Sequence, residues 1–222
     1  MCRPLFPAME KSTLKTILIS LVGVSVLLGA GLVTLYLQAT SVTAESLRND
    51  GFFVYDAPIE LNDFSLEDED GEVFNNENLQ GQWTLVFFGY TFCPDICPLT
   101  LASVRQFYGL LEENGESEDV QVLMISVDPE RDTREVLANY VHYFNPEFMG
   151  ARGDYTEVYT LARQMNVTFN YVAMDEENYL VNHNGEVMLL DPQGNNVGFF
   201  KAPYKPDFMR ENFLAVKRYL SR

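Results

Sequence analysis

The longest uniform stretch of the chain is apolar. From Thr16 to Ala44 no residue is charged. The run TILISLVGVSVLLGAGLVTLYLQ has the length, about 20 residues, that a helix needs to cross a bilayer. Arg3, Lys11 and Lys15 precede it, and Glu45 is the first charge beyond it. By the positive-inside rule the N-terminus stays in the cytoplasm and the chain beyond the run is exported. Gly23, Gly29 and Gly31 are tolerated in such a helix. The pattern predicts a cytoplasmic N-terminus over 1–15, a transmembrane anchor over 16–38, a linker over 39–56 and a folded domain over 57–222. A cleaved signal peptide competes, because SVTA, ending at Ala44, offers small residues to a peptidase. The apolar run is long for a signal peptide, whose apolar region is roughly 7–15 residues. Met9 also begins a sensible leader. Both readings put the folded part outside the cytoplasm, in an oxidising compartment.

Beyond the leader the periodicity changes. DFSLEDEDGEVF alternates apolar and polar positions around Asp70-Gly71, a hairpin signal. WTLVFFGY and VQVLMISVD are short, continuous apolar runs of the kind that form buried strands. Between them PLTLASVRQFYGLLEENG has helical spacing, with Leu101, Val104, Tyr108 and Leu111 on one face and Gly115 as its stop. The acidic EENGESED reads as a solvated loop. DTREVLANYVHYF reads as a helix with Asp132 as N-cap and Glu135 three residues on, in the manner of a capping box. DYTEVYTLARQMN is a further helix, and VTFNYVAM and EVMLLD are strands. DPQGNN turns into VGFFKA, and PDFMRENFLAVKRYL closes the chain as a helix. Strands alternating with helices imply an α/β domain, a central mixed sheet covered on both faces. The final antiparallel hairpin followed by a helix narrows this to a thioredoxin-like fold. There is no internal repeat.

Composition adds two exclusions. The chain carries a formal net charge of −17, which argues against nucleic acid as a partner. Such a balance suits a basic partner or a cation, or serves solubility alone. With only three cysteines the domain is not a disulfide scaffold. Cys2 lies in the leader. Cys93 and Cys97 lie together in FFGYTFCPDICPLTLASV, where a strand gives way to a helix.

On a helix, positions i and i+4 share a face, with Cβ atoms about 5–6 Å apart. Pro94 suits the first helical position, which places Cys93 near the helix N-terminus. The helix dipole and free amides there favour thiolate over thiol. Such a pair can exchange a disulfide, although the common redox spacing is one residue tighter. It can reduce peroxide, but peroxiredoxins carry Thr or Ser three residues before the cysteine, where this chain has Tyr90. It can bind a soft ion, copper(I) or zinc. It can also be two buried small residues. A metal wants a further ligand, and the chain has two histidines, His142 late in a helix and His183 in a polar loop before a strand. Taken alone, each is more often structural than a ligand.

Three segments, FGYTFCPDICP, ISVDPERDT and VNHNGEVMLLDPQG, together resemble the SCO/SenC family of copper-binding assembly proteins. The similarity runs from about Ala57 to Tyr219 and includes the N-terminal anchor. The resemblance implies a thioredoxin fold carrying one copper bound by Cys93, Cys97 and His183. Two thiolates and one neutral imidazole suit three-coordinate Cu(I), and a further weak ligand or water admits Cu(II). It also implies the recipient, the binuclear copper centre in subunit II of cytochrome c oxidase, and a domain facing the periplasm or an equivalent extracytoplasmic space. One departure stands out, because the family commonly has Asp immediately before the histidine and this chain has Asn182. Asp128 and Asp132 match a recurrent family segment, and a strand-end and helix-cap role is expected of Asp132. The expectation is a membrane-anchored copper metallochaperone, an assembly factor rather than an enzyme. The alternatives are a thiol–disulfide oxidoreductase acting through Cys93 and Cys97, which keeps a partner's cysteines reduced, and a copper or redox sensor.

Overall fold

The computed structural model describes residues 11–39, 43–49, 51–174 and 178–221. The chain divides into two compact units, Met1–Val42 and Thr43–Arg222. Among the described residues the first contains one helix, α1 (Lys11–Ala39), on which the expected anchor at 16–38 falls. The side chains described along it are Lys15 and those at 17–33, all exposed. Among the described residues no helix is long and apolar enough to cross a membrane.

The second unit begins earlier than the sequence pattern predicts. The expected linker over 39–56 holds α2 (Ala44–Asn49) and most of β1 (Phe52–Ile59). Leu47, Phe52 and Val54 are buried. The second half of β1 is largely exposed, and this half-polar edge strand is what resembled a linker. The expected hairpin forms as β2 (Ser65–Asp68) and β3 (Val73–Asn75). Next come β4 (Trp83–Gly89), α3 (Ile96–Glu113), β5 (Val120–Ser126), α4 (Arg134–Phe144), β6 (Met149–Arg152) and α5 (Tyr155–Gln164). The chain ends with β7 (Phe169–Ala173), β8 (Tyr179–His183), β9 (Val187–Leu190), β10 (Asn196–Phe200) and α6 (Pro206–Leu220).

Eight strands make one sheet in the order β1-β10-β9-β4-β5-β6-β2-β3. β4, β5 and β6 are parallel, and the remaining pairs are antiparallel. This is the mixed sheet of a thioredoxin-like fold. β4 and β5 lie at its centre and every residue in both is buried, as their unbroken apolar runs predict. On α3 the expected face of Leu101, Val104, Tyr108 and Leu111 is buried. Each such aliphatic side chain contributes about 1.5–3 kcal/mol on burial. Phe107 of α3 meets Phe213 of α6 edge-on at 5.9 Å, and Trp83 of β4 meets the same ring at 5.7 Å. β1 closes tightly on β10 at Gly198 (φ +154°), where a side chain would collide with the Phe53 carbonyl.

Two local expectations change. The N-cap of α4 is Thr133, whose hydroxyl accepts from the Val136 amide at 3.3 Å, while Asp132 is fully buried and turned away from the helix. The acidic loop after α3 is pinned by α6. Arg210 grips Glu116 through two bonds of 2.7 and 2.6 Å, and Lys217 pairs with Asp119 at 2.6 Å.

β7 and β8 stand apart as a two-stranded hairpin. It follows α5 and returns the chain to β9, which pairs with β4. β4 leads directly into the cysteine segment, so the last residue of β8 arrives beside it.

Candidate metal centre

The cysteine segment is a tight loop followed by a helix. The Cys93 amide donates to the Tyr90 carbonyl at 3.2 Å. α3 then starts at Ile96, with Asp95 as N-cap. Pro94 therefore precedes the cap and does not occupy the first helical position, while Pro98 lies in the first turn, where its missing N–H costs nothing. The Asp95 side chain makes no capping hydrogen bond. The Cys93 sulfur fills part of that role, accepting from the Cys97 amide at 3.5 Å. A sulfur that takes a free N–H at a helix start is stabilised as thiolate.

The two thiols have different environments. Cys93 is 9 % exposed and Cys97 is fully buried. A hydrogen bond from the Cys97 thiol drives the Cys93 pKa down to about 3. His183 and the main-chain N–H groups of Asp95 and Cys97 add to this effect, and burial opposes it. Cys97 is driven far up, first by its hydrogen bond to Cys93 and then by burial. The two shifts run in opposite directions, holding Cys93 toward thiolate and Cys97 toward thiol. Gly89, the last residue of β4, makes room for this arrangement. A Cβ there would lie 2.5 Å from the Phe87 ring and 3.2 Å from the Cys97 sulfur.

His183 ends a strand rather than occupying a loop. It is the last residue of β8 and pairs with Phe169 across the hairpin. Its ring lies edge-on to Phe87 and Tyr90, at 5.8 and 6.0 Å. Nδ1 is 2.7 Å from the Asn184 carbonyl, which can only accept, so Nδ1 donates to it and Nε2 is the ring nitrogen turned toward the sulfurs. Nε2 lies 3.3 Å from the Cys97 sulfur. The two sulfurs and one ring nitrogen all lie within 4.8 Å of one another. Asn182, where the family commonly has Asp, is exposed on the opposite side of the strand and pairs with Asn170. The main chain at Asn184 orients the ring, so this departure leaves the imidazole in place. His142 is elsewhere, in the last turn of α4, with Nε2 2.8 Å from Glu69.

Some residues of the site carry no local signal in the sequence. Tyr90, which argued only against peroxide chemistry, accepts from the Val181 amide of β8 at 3.3 Å. Asp132 is not a helix cap. It accepts from the Thr91 hydroxyl at 2.5 Å and from Ser126 at 2.6 Å. A cavity of about 1060 Å³ is lined by Glu67, Arg152, Tyr155, Tyr171 and Tyr179 among others, and none of the three candidate ligands lines it.

A thioredoxin-like sheet that brings two thiols at a helix start to the Nε2 edge of an imidazole defines a protein built around a sulfur-rich, soft-ion or thiol centre. The comparisons narrow the class. A family model described as SCO1/SenC matches residues 55–218, and the chain belongs to that family. The SCO2-like protein of Rickettsia felis is 31% identical over 206 residues, covering 91% of this chain and 97% of its own. The crystal structure of Arabidopsis thaliana ScoI with copper bound superposes with a TM-score of 0.66 at 34% identity, over 71% of this chain and 98% of that one. Yeast Sco1 with copper bound gives a TM-score of 0.65 at 31% identity, over 70% of this chain and 87% of that one.

Proposed function

We propose that this chain is a membrane-anchored copper metallochaperone that holds one copper ion through Cys93, Cys97 and His183. Its cargo goes to the binuclear copper centre of cytochrome c oxidase, in subunit II. The observation that carries the reading is the convergence of two sulfurs and an imidazole nitrogen within 4.8 Å. The donor set fits a soft ion, since thiolates select Cu(I) and imidazole is compatible with copper in either common oxidation state. Copper-bound relatives at over 30% identity support the choice of metal. The family supports the recipient.

Binding requires both sulfurs deprotonated, so loading releases the proton held by Cys97. It also requires them reduced, so a Cys93–Cys97 disulfide switches the site off. Cys93 lies at the surface of the site and Cys97 beneath it. An incoming partner ligand therefore replaces Cys93 first. The uncharged run from Thr16 to Ala44 and the exposed apolar side chains at 17–33 support an anchor, with the Thr43–Arg222 unit on the extracytoplasmic side.

Addition of one equivalent of Cu(I) or Cu(II), with absorption and paramagnetic resonance as the readouts, tests this. Wild type takes up one copper with thiolate character, and His183→Ala loses stoichiometric binding. An unchanged spectrum in His183→Ala removes the imidazole from the ligand set. A thiol–disulfide reductase is the second reading, favoured by the depressed Cys93 thiol. It needs the cysteines but not His183. Turnover by the metal-free protein that survives His183→Ala supports that reading.

A further inference from the structure

The loop between β5 and α4 reaches both halves of the site. On one side, Asp132 is fully buried and holds the cysteine segment, accepting from the Thr91 hydroxyl at 2.5 Å and from the Thr91 amide at 3.2 Å. On the other side, the adjacent Arg131 holds the histidine hairpin. Its Nη1 donates to the Tyr179 carbonyl at 3.1 Å, and its guanidinium carbon lies 3.8 Å from the centre of the Tyr179 ring. Nε donates to Asp128 at 2.5 Å, and the other Asp128 oxygen accepts from the Tyr179 hydroxyl at 2.7 Å. The same guanidinium lies 5.2 Å from the Phe92 ring and 5.7 Å from the Tyr90 ring, both in the cysteine segment. Phe92 adjoins Cys93, and Tyr179 opens the strand that His183 ends.

β7 and β8 lie outside the main sheet, so no ladder of sheet hydrogen bonds holds His183 at its distance from the sulfurs. The cross-connections come from side chains. A planar guanidinium suits this task, because it stacks on rings with its face while its edge donates in several fixed directions. Arg131 Nη2 is buried with no hydrogen-bond partner among the described residues.

We propose that Arg131 is a positioning residue that clamps the His183 strand to the cysteine segment, keeping the imidazole within reach of both sulfurs before any metal arrives. The inference rests on the copper reading for its purpose, but its geometry is testable without metal. The test uses the full chain with Arg131→Lys, which keeps a cation beside buried Asp128 but loses the planar stack and the forked donors. In the metal-free protein, nuclear Overhauser contacts between the His183 and Tyr90 rings report the clamp. With Cu(II) ion as probe, affinity and spectrum report its consequence.

The expected result is loss of the His183–Tyr90 contacts in a folded variant, and an affinity lower by about 10- to 100-fold, as for removal of groups that orient metal ligands. The Cu(II) spectrum should shift toward that of His183→Ala. Contacts retained in Arg131→Lys overturn the proposal, whether or not affinity falls, because a drop without movement of the ring is a charge effect. If Arg131→Lys does not fold, Tyr179→Leu removes the stacked ring and leaves the Asp128–Arg131 pair, and the same readings decide. Wild type that binds no copper refutes the copper reading, while the ring contacts still decide the clamp.

Discussion

At the scale of single residues, the environments of the two sulfurs pull their proton affinities in opposite directions. Cys93 takes a helix-start amide and a thiol hydrogen bond, so its folded-state pKa lies far below the ordinary thiol value, while Cys97 lies far above. A lowered pKa keeps Cys93 as thiolate as pH falls, until pH approaches the folded value, whereas an unfolded thiol loses about tenfold in thiolate per pH unit below roughly 8.5. Alkylation of Cys93 by iodoacetamide in the reduced, metal-free protein is expected to be nearly constant from about pH 8 to about pH 5, and to become steeply pH-dependent in denaturant. Mass-spectrometric timing of the modification checks this. A rate in the folded protein that falls tenfold per unit across that range would contradict the assignment. The cysteines were legible in the chain because four-residue spacing at a helix start is local. The orientation of the His183 ring was not, because it depends on how the strand ends at Asn184.

At the scale of elements, the segment after β5 shows how a local pattern misleads. Asp132 three residues before Glu135 has the form of a capping box, yet Thr133 caps α4 and Asp132 is drawn into the site. Thr133→Ala is expected to cost about 1 kcal/mol in urea unfolding, the usual value of a lost N-cap. Copper stoichiometry should be unchanged. An effect on copper without an effect on stability would mean that the cap is not the role of Thr133. β8 escaped the sequence reading for a related reason. Only Val181 is buried in a strand that is otherwise half-exposed and ends in Asn and His, so the alternation that marks a strand is faint. β6 escaped because it is short, and β1 because half of it faces solvent. The central strands β4 and β5 and the helix between them were plain, since their environments are apolar throughout or along one face.

At the scale of the whole molecule, the chain divides into two compact units, and the proposed anchor lies in the first. If the first is an anchor, the full chain in isolated membranes should resist extraction by alkaline carbonate and high salt and be released by detergent. Release by carbonate would instead favour a cleaved or peripheral leader. The net charge of −17 makes electrostatic adhesion to an anionic membrane surface a poor substitute for an anchor.

By itself the amino-acid sequence determined the apolar leader, the alternation of central strands and helices, and the place of two thiols at a helix start. Each of these is set by neighbours within a few positions. Tertiary structure alone decided that the His183 ring nitrogen lies 3.3 Å from the Cys97 sulfur, 86 positions away. It also decided that Arg131 bridges to Tyr179, 48 positions away. Contacts at that separation arise from strand order and from a hairpin held by side chains, and local periodicity encodes neither.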